Sequence, residues 1–180
     1  IDARVGGALD APEATAVLNA PSLALDEIDV GSLTAVASYE KRTLTISNGE
    51  LNWKQARARF EGRVGTAPDE PIDLVLSADQ VSVETLLPAL NQPDLPIAGE
   101  IAAHGTVRGT LGHPVVQIDA SGSSLVAYNE LLGSLTASLR LDGRELTLSE
   151  LVVDKPQPDQ PGRLTATGTY DLERRTYMFD

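Results

Sequence analysis

The 180-residue chain contains no cysteine and few aromatic residues: one Trp, four Tyr and two Phe. The absence of cysteine excludes disulfide bonds and thiolate zinc sites, and it leaves the redox compartment open. The chain is nevertheless 42% hydrophobic, and this fraction consists mainly of Leu, Val and Ala. We therefore expect a thin layer of aliphatic side chains in place of a large globular core.

Basic residues are also scarce, since 14 Lys and Arg stand against 26 Asp and Glu and give a formal net charge of −12. This charge argues against binding to nucleic acid, which needs clustered Lys and Arg, and against simple adsorption to an anionic lipid surface. No apolar run approaches the roughly 18 residues of a membrane span. The first residues lack a signal-peptide pattern. Because strand-like sequence continues up to both ends, we expect the chain to be a segment of a longer protein.

Motifs for catalysis or metal binding are absent as well. His104 and His113 are the two histidines, and no further ligands stand at compatible spacing. The acidic cluster in residues 26–29 lacks the pattern of a calcium loop, and residues 121–124 lack the glycine-x-serine-x-glycine phrase of a nucleophile elbow. A carboxylate pair for glycoside hydrolysis stays open in so acidic a chain, although no pair stands out. We predict a protein that is not an enzyme and that holds no metal or cofactor.

The chain does contain an internal repeat, most clearly in residues 105–149. An offset of about 102 residues holds without a gap from about residue 5 to residue 47, which chance rarely produces. The matched positions are Gly7 with Gly109, Leu9 with Leu111, Pro12 with Pro114, residues 31–35 with 133–137, Leu44-Thr45 with Leu146-Thr147, and Ser47 with Ser149. Self-similarity at a fixed offset is typical of repeat architectures. The segment from Asp154 to Gly162 adds four residues to the second copy, as expected of a loop.

The dominant hydrophobic period is two, which predicts half-buried β-strands. Asn48-Gly49 and Asp142-Gly143 can adopt the positive φ angles of tight hairpin turns, and Trp53, which follows the first of these, is interpreted as an edge or groove anchor. The predicted strands lie near residues 2–9, 13–19, 31–40, 42–48, 50–54, 57–66, 72–79, 98–110, 115–122, 132–142, 144–153, 162–171 and 175–180. Residues 82–90 break the alternation and predict a short helix, which Ser82 caps and Pro88 limits in length.

Three phrases of the second copy carry a resemblance to a known family: residues 105–125 (GTVRGTLGHPVVQIDASGSSL), residues 131–153 (LLGSLTASLRLDGRELTLSELVV) and residues 162–172 (GRLTATGTYDL). They resemble the C-terminal repeats of the TamB family within the AsmA-like, repeating β-groove superfamily. The passage from residue 81 to residue 109 resembles the short helix and the re-entry strand between such repeats. The resemblance covers essentially the whole chain.

The resemblance implies an all-β fold, an elongated, curled (taco-like) sheet of hairpin repeats with an apolar inner groove and one short helix near residues 82–90. Residues 1–97 would form the first β-groove repeat and residues 98–180 the second, in one continuous β domain. It further implies a non-enzymatic segment of a periplasmic bridge, anchored in the inner membrane, that shields phospholipid acyl chains on their way to the outer membrane. The implied protein partner is an outer-membrane barrel of the Omp85 family, similar to TamA.

Alternation selects sixteen aliphatic or aromatic side chains as candidates for the groove. They are Leu33, Leu44, Ile46, Phe60, Leu74, Leu76, Val107, Leu111, Ile118, Leu135, Leu139, Leu141, Leu146, Leu148, Leu164 and Ala166. The same residues would equally suit the closed core of a β-sandwich or barrel. A second function also stays open, a scaffold for the assembly of outer-membrane proteins or autotransporters with an Omp85-family partner through pairing at exposed sheet edges. Separately, the exposed edges could join two copies of the chain.

Overall fold

The computed structural model describes residues 2–8, 11–25, 28–89, 93–155 and 162–180. These residues form twelve strands and one helix. The strands are β1 (Asp2–Ala8), β2 (Ala11–Leu25), β3 (Ile28–Glu40), β4 (Thr43–Trp53), β5 (Ala56–Gly65), β6 (Pro71–Ser82), β7 (Ile97–Thr110), β8 (His113–Ala127), β9 (Glu130–Asp142), β10 (Glu145–Lys155), β11 (Gly162–Asp171) and β12 (Thr176–Phe179). The helix α1 is Val83–Ala89 and lies between β6 and β7.

All twelve strands belong to one antiparallel sheet, and they follow one another in the sheet in their chain order. The sheet is not closed. The all-β fold class predicted from the period of two is therefore confirmed, together with the short helix. Short polar turns join neighbouring strands, as at Lys41-Arg42, where φ is 48° and 63°, and at Gly143, where φ is 60°.

The internal repeat is visible in the strand bounds. Strands β2, β3 and β4 become β8, β9 and β10 when 102 is added to the first and last residue of each. Strand β5 becomes β11 when 106 is added, so the four extra residues fall between β10 and β11. Gly31 and Gly133, which are equivalent at the offset of 102, both have a φ of 85°. The two copies thus share backbone detail as well as sequence.

The prediction of a hairpin turn at Asn48-Gly49 is wrong. Strand β4 continues through these residues from Thr43 to Trp53. Asn48 does have a positive φ, 59°, but it uses this conformation in a β-bulge: the register with β5 shifts between Ile46 and Gly49. A bulge adds one residue to one strand of a pair and leaves the pairing to continue beyond it.

Helix α1 begins where the sequence predicts. The backbone N–H of Thr85 donates a hydrogen bond to the Ser82 hydroxyl over 3.3 Å, and that hydroxyl donates to Glu84 Oε2 over 2.9 Å. Glu84 also accepts a hydrogen bond from the backbone N–H of Gly99 over 3.3 Å. These contacts satisfy donors at the start of the helix and join it to the strand that follows.

The chain forms two compact units, which we describe separately. Unit 1 comprises Ile1–Ser77 with Thr106–Val115, and unit 2 comprises Ala78–Gly105 with Val116–Asp180. Among the described residues, the buried hydrophobic side chains of unit 1 are Ala35 and Ile72, and those of unit 2 are Val81, Leu87, Leu125, Val152 and Val153. The division at residues 97 and 98, which follows the sequence repeat, stays a prediction.

Candidate functional site

Apolar side chains from five neighbouring strands share one face of unit 1. Tyr39 pairs with Leu44 in the β3–β4 register, and Leu44 pairs with Val64 in the β4–β5 register. Residues directly opposite one another in a sheet point to the same side. Extending the registers from β1 to β5 defines the apolar face of unit 1: Ala3, Val5, Ala14, Ala16, Leu18, Ala20, Leu33, Ala35, Ala37, Tyr39, Leu44, Ile46, Leu51, Trp53, Ala56, Ala58, Phe60 and Val64.

The opposite face of unit 1 is mainly polar. Thr15, Ser38, Thr45 and Arg63 form one row across four strands. Further along β4, Glu50 Oε1 lies 3.6 Å from Arg57 Nε. The polar side chains therefore lie towards solvent on one side, and the two faces have different chemistry over the five strands. Such alternation, interrupted by the exposed pair Val17 and Val36 on the polar side, is typical of a sheet with one wetted face.

The apolar face of unit 1 is half-buried and is not sealed. Ala35, at 8% exposure, is buried, whereas Leu33, Leu44, Ile46 and Phe60 keep part of their surface in contact with solvent. No described side chain is less than 2% exposed. In a sandwich or closed barrel a second layer would cover such a face and bury it. The described residues instead leave this aliphatic surface accessible.

Unit 2 has a corresponding apolar face on β9, β10 and β11. Leu146 pairs with Leu141 on one side and with Tyr170 on the other, and Leu148 pairs with Leu139 and Gly168. The register, with β12 added, defines the apolar face of unit 2: Leu135, Ala137, Leu139, Leu141, Leu146, Leu148, Leu151, Val153, Leu164, Ala166, Tyr170, Tyr177 and Phe179, with Lys155 at the end of β10. Tyr177 and Phe179, 72% and 59% exposed, form a ring pair at 5.6 Å.

The structure brings most of the predicted groove residues onto these faces. Leu33, Leu44, Ile46 and Phe60 lie on the apolar face of unit 1, and Leu135, Leu139, Leu141, Leu146, Leu148, Leu164 and Ala166 lie on that of unit 2. Leu74 and Leu76 lie on the less exposed side of β6, and Val107 and Ile118 are half-buried in β7 and β8.

Two of the sixteen residues occupy less sheltered positions. Leu111 lies in the turn between β7 and β8, where it is 42% exposed and its backbone N–H donates to the carbonyl of Glu70. Leu164 has the expected register, opposite Val153, but is 59% exposed. Leu111 is therefore not part of either face, because the strand that would have aligned it ends at Thr110.

Alternation alone misses several residues of the faces. Leu51 and Val153 are out of phase with Leu44 and Leu146 in sequence, yet the bulge in each strand returns them to the apolar side. For Leu51 the signal that could have found it is Asn48, a residue type that tolerates positive φ inside a strand pattern. The equivalent residue before Val153 is Glu150, so there the offset of 102 residues is the available signal. The alanines of β2, β3 and β5 were missed because small side chains carry little hydrophobic signal.

Both phenylalanines of the chain lie over glycines of the neighbouring strand. Phe60 is opposite Gly49, and a Cβ placed on Gly49 would lie 2.4 Å from its ring. Phe179 is opposite Gly168, where the corresponding distance is also too short for a real side chain. The missing Cβ leaves the space that each ring occupies. The aromatic side chain covers backbone that glycine would otherwise leave open.

The bulges open a depression on the polar side of each copy. In unit 1 a cavity of about 340 Å³ is lined in part by Asn48, Glu50 and Arg59, and in unit 2 one of about 480 Å³ is lined in part by Glu150 and Thr165. Asn48 and Glu150 are equivalent at the offset of 102, and Arg59 and Thr165 at that of 106. The position of the depression recurs. Its lining differs between the copies, since Arg59 and Glu61 are replaced by Thr165 and Thr167 while Glu150 and Arg163 keep charged groups in the second copy.

Two surface carboxylates of unit 2, Glu130 and Glu84, accept hydrogen bonds from neighbouring groups. Lys155 Nζ donates a hydrogen bond to Glu130 Oε2 over 2.5 Å, and this bond, together with the charge of the ammonium group, lowers the pKa of Glu130 below its usual value. The pKa of Glu84 is also lowered, first by its own backbone N–H and then by the Ser82 hydroxyl. Each carboxylate is held in its charged form by these donors.

The described residues contain no group of three or more His, Asp or Glu side chains placed to hold a metal ion. Of the acidic cluster in residues 26–29, residues 26 and 27 lie outside the described part of the chain. No helix in that part is long and apolar enough to cross a membrane.

The structure defines a class of protein: an open antiparallel β-sheet built from repeats, each with one apolar and one polar face. Comparison with protein-family models, curated proteins and solved structures gives no match for this chain.

Proposed function

We propose that the chain is a non-enzymatic lipid-binding segment whose apolar faces hold the acyl chains of phospholipids. The observation that carries this proposal is the half-buried apolar face of unit 1, which spans five strands and includes Leu44, Ile46 and Phe60. An aliphatic face that contacts solvent favours binding of an apolar ligand, because large exposed apolar patches typically mark interaction sites. The apolar face of unit 2 supports the same function.

The free energy of transfer explains why such a face would bind lipid. Exposure of an acyl chain to water costs about 0.8 kcal/mol of free energy for each methylene group. An acyl chain of ordinary length therefore meets a barrier on the order of 10 kcal/mol when it crosses an aqueous gap. A partly open aliphatic face offsets much of this cost and leaves a headgroup in solvent. Leu, Val and Ala provide no fixed polar partner, so a bound acyl chain can slide.

The biological setting that we propose follows the sequence resemblance to the TamB and AsmA-like proteins. In this setting the chain is part of a periplasmic bridge that is anchored in the inner membrane and conveys phospholipid towards the outer membrane, with a TamA-like barrel of the Omp85 family as its partner. The resemblance in residues 105–125 and 131–153 supports this assignment, as does the repeat of strand bounds at an offset of 102 residues.

The alternative function is a scaffold for assembly of outer-membrane proteins or autotransporters. Strand β1 favours it: all seven of its residues are exposed, including Val5 at 80%, and the strand order gives it one neighbour, β2. A free strand edge can pair with an incoming strand through backbone hydrogen bonds. In this alternative the substrate contacts the edge of the sheet and not its apolar face. The same edge could join two copies of the chain.

A pair of charge substitutions on neighbouring residues of β4 tests the lipid-binding proposal. Ile46→Asp places a carboxylate on the apolar face between Ala37 and Gly62, whereas Thr45→Asp places the same charge on the polar face beside Arg63. The readout is photocrosslinking of the purified chain to a phospholipid with a photoactivatable acyl chain. We expect the Ile46→Asp yield to fall about tenfold, because desolvating a polar group costs about 1–3 kcal/mol, and the Thr45→Asp yield to stay unchanged.

The outcome separates the competing functions. Equal lipid labelling of both variants and of the wild-type chain would contradict binding at the apolar face. The scaffold would be favoured if blocking β1 abolished pairing with a barrel partner and left lipid labelling unaffected. Turnover of a glycan by the wild-type chain would contradict the non-enzymatic assignment. Circular dichroism of both variants checks that the sheet is retained.

A further inference from the structure

A single cationic side chain terminates the apolar column of β10. Leu146, Leu148, Leu151 and Val153 precede Lys155 on the same side of this strand, as the registers with β9 and β11 define. In the described parts of β9, β10 and β11, Lys155 is the cation on the apolar side. Arg140 and Arg163 lie opposite Thr147 and Asp154 on the polar side.

The surroundings of Lys155 place its charge at an accessible edge of this face. Its side chain is 26% exposed, so its methylene groups lie largely against protein while its ammonium group contacts Glu130, whose side chain is 63% exposed. Long cationic side chains typically cover apolar surface in this way and keep the charge in water. Gly162 stands opposite Lys155 on β11 and contributes no side chain that would cover it. The Glu130 carboxylate, being exposed, can be exchanged for another anion.

The equivalent position in the first copy carries an unsatisfied hydrogen-bond donor at the end of an apolar column. At the offset of 102 residues, Lys155 corresponds to Trp53, which follows Leu51 on the apolar face of unit 1. The Trp53 indole N–H is buried and has no hydrogen-bond partner among the described residues, and Lys54 Nζ lies 5.6 Å from the centre of the Trp53 ring. Each copy thus places donors or a cation where its column ends.

We propose that Lys155 binds the phosphate of a glycerophospholipid whose acyl chain lies along Leu148, Leu151 and Val153. This inference rests on the proposed lipid-binding function and names the headgroup contact. When lipid is absent, the ammonium group pairs with Glu130, and the phosphate replaces that carboxylate when lipid binds. From Leu148 to Lys155 the strand extends about 23 Å at roughly 3.3 Å per residue, which exceeds the roughly 15 Å of hydrocarbon in one leaflet of a bilayer.

The pairing with Glu130 makes opposite predictions for the two members of the pair. Removal of the ammonium charge in Lys155→Gln removes the phosphate contact, so phospholipid should bind more weakly. Removal of the competing carboxylate in Glu130→Gln leaves the ammonium group unpaired and removes repulsion of the phosphate, so phospholipid should bind more tightly. A structural role of the ion pair would instead weaken binding in both variants.

The test measures equilibrium binding of two soluble lipids to the 180-residue chain by titration calorimetry. Dioctanoylphosphatidylglycerol carries the phosphate, and dioctanoylglycerol carries the same acyl chains without it. We expect Lys155→Gln to weaken the phosphatidylglycerol complex about three- to tenfold, Lys155→Arg to retain its affinity, and Glu130→Gln to strengthen it about two- to fivefold, the range of a single exposed ion pair. Dioctanoylglycerol should bind all variants equally.

A second Lys–Glu pair of the chain provides the matched control. Lys41 Nζ lies 2.7 Å from Glu40 Oε1, and the Lys41 side chain is 83% exposed in the turn after β3. Lys41→Gln and Glu40→Gln make the same charge changes as the test variants and should leave the affinity for both lipids unchanged.

Three results would overturn the headgroup inference and leave lipid binding intact. The first is equal affinity of the wild-type chain for both lipids with no effect of Lys155→Gln, and the second is an equal loss of affinity for both lipids in Lys155→Gln. The third is weaker phosphatidylglycerol binding in Glu130→Gln. Binding of inorganic phosphate as tightly as phosphatidylglycerol would identify a site for free anions and would also overturn it. If neither lipid bound the wild-type chain, the proposed function itself would fail.

Discussion

Two isoleucines of unit 1 provide a direct measure of how open the apolar face is. Ile72 in β6 is buried at 9% exposure, whereas Ile46 in β4 is half-buried on the apolar face, opposite Ala37 and Gly62. We predict that Ile72→Ala lowers the free energy of unfolding by about 3 kcal/mol and that Ile46→Ala lowers it by about 1–1.5 kcal/mol.

The difference follows from what surrounds each side chain. Replacement of Ile by Ala removes three carbon groups, worth about 2.4 kcal/mol in transfer free energy if they are fully buried. At Ile72 a cavity term adds to this, because neighbouring atoms lose contacts that they cannot replace. At Ile46 solvent already contacts the side chain and fills the space that it leaves. The cavity term is therefore absent, and the transfer term is incomplete.

Urea denaturation of the wild-type chain and both variants, followed by circular dichroism, measures the two free energies. The slope of the free energy against urea must stay constant among the three for the comparison to hold. A loss of 3 kcal/mol or more in Ile46→Ala would refute the reasoning, because it would mean that another layer covers the apolar face in solution. The proposed path for an acyl chain would then be blocked.

Further predictions concern the Gly–Phe pair and the start of the helix. Gly49→Ala should lower the free energy of unfolding by about 1–2 kcal/mol, since the new Cβ would displace the Phe60 ring. Gly6→Ala, with nothing within 4 Å of its Cβ, should change that free energy by no more than about 0.5 kcal/mol in the same urea experiment. Ser82→Ala should cost about 1 kcal/mol through loss of the helix cap, and equal stability of this variant and the wild-type chain would contradict the capping role. The pKa of Glu84 is lowered in the folded chain from its usual 4.5, so the stabilisation by its carboxylate is present above pH 4.5 and is lost as the pH falls through the folded pKa. Glu84→Gln should therefore be less stable than wild type by about 0.5 kcal/mol at neutral pH, and this difference should disappear in acid. A difference that persists in acid would exclude the ionised carboxylate as its cause.

The sequence predicts much of this fold because its signals are local. Alternation in strands such as β9 reports directly which side chains share a face, and the offset of 102 residues transfers each assignment from one copy to the other. The start of α1 was predictable because Ser82 is a capping residue at the point where alternation stops. These signals need no knowledge of which strands are neighbours.

The details that sequence reasoning missed depend on pairing between strands. Asn48-Gly49 is compatible with a hairpin turn and with a bulge, and the continued register of β4 with β5 decides between them. Leu51 is assigned to the wrong side of the sheet when the bulge is overlooked. Val152 is buried at 8% although it lies opposite Thr136 and Thr165, on the polar side. Local sequence carries no signal for that burial.

The Lys54-Gln55 turn and its counterpart in the second copy have a consequence for the evolution and engineering of the chain. Two residues separate β4 from β5, and six separate β10 from β11. Gly49 nevertheless pairs with Phe60 in the first copy, and the equivalent residues Leu151 (offset 102) and Ala166 (offset 106) pair in the second. Four added residues were thus accommodated without any change of register, as expected from the slow growth of loop-closure entropy with loop length. The connection is a natural position for length variation, where an epitope or spectroscopic label could enter while the paired strands keep their alignment.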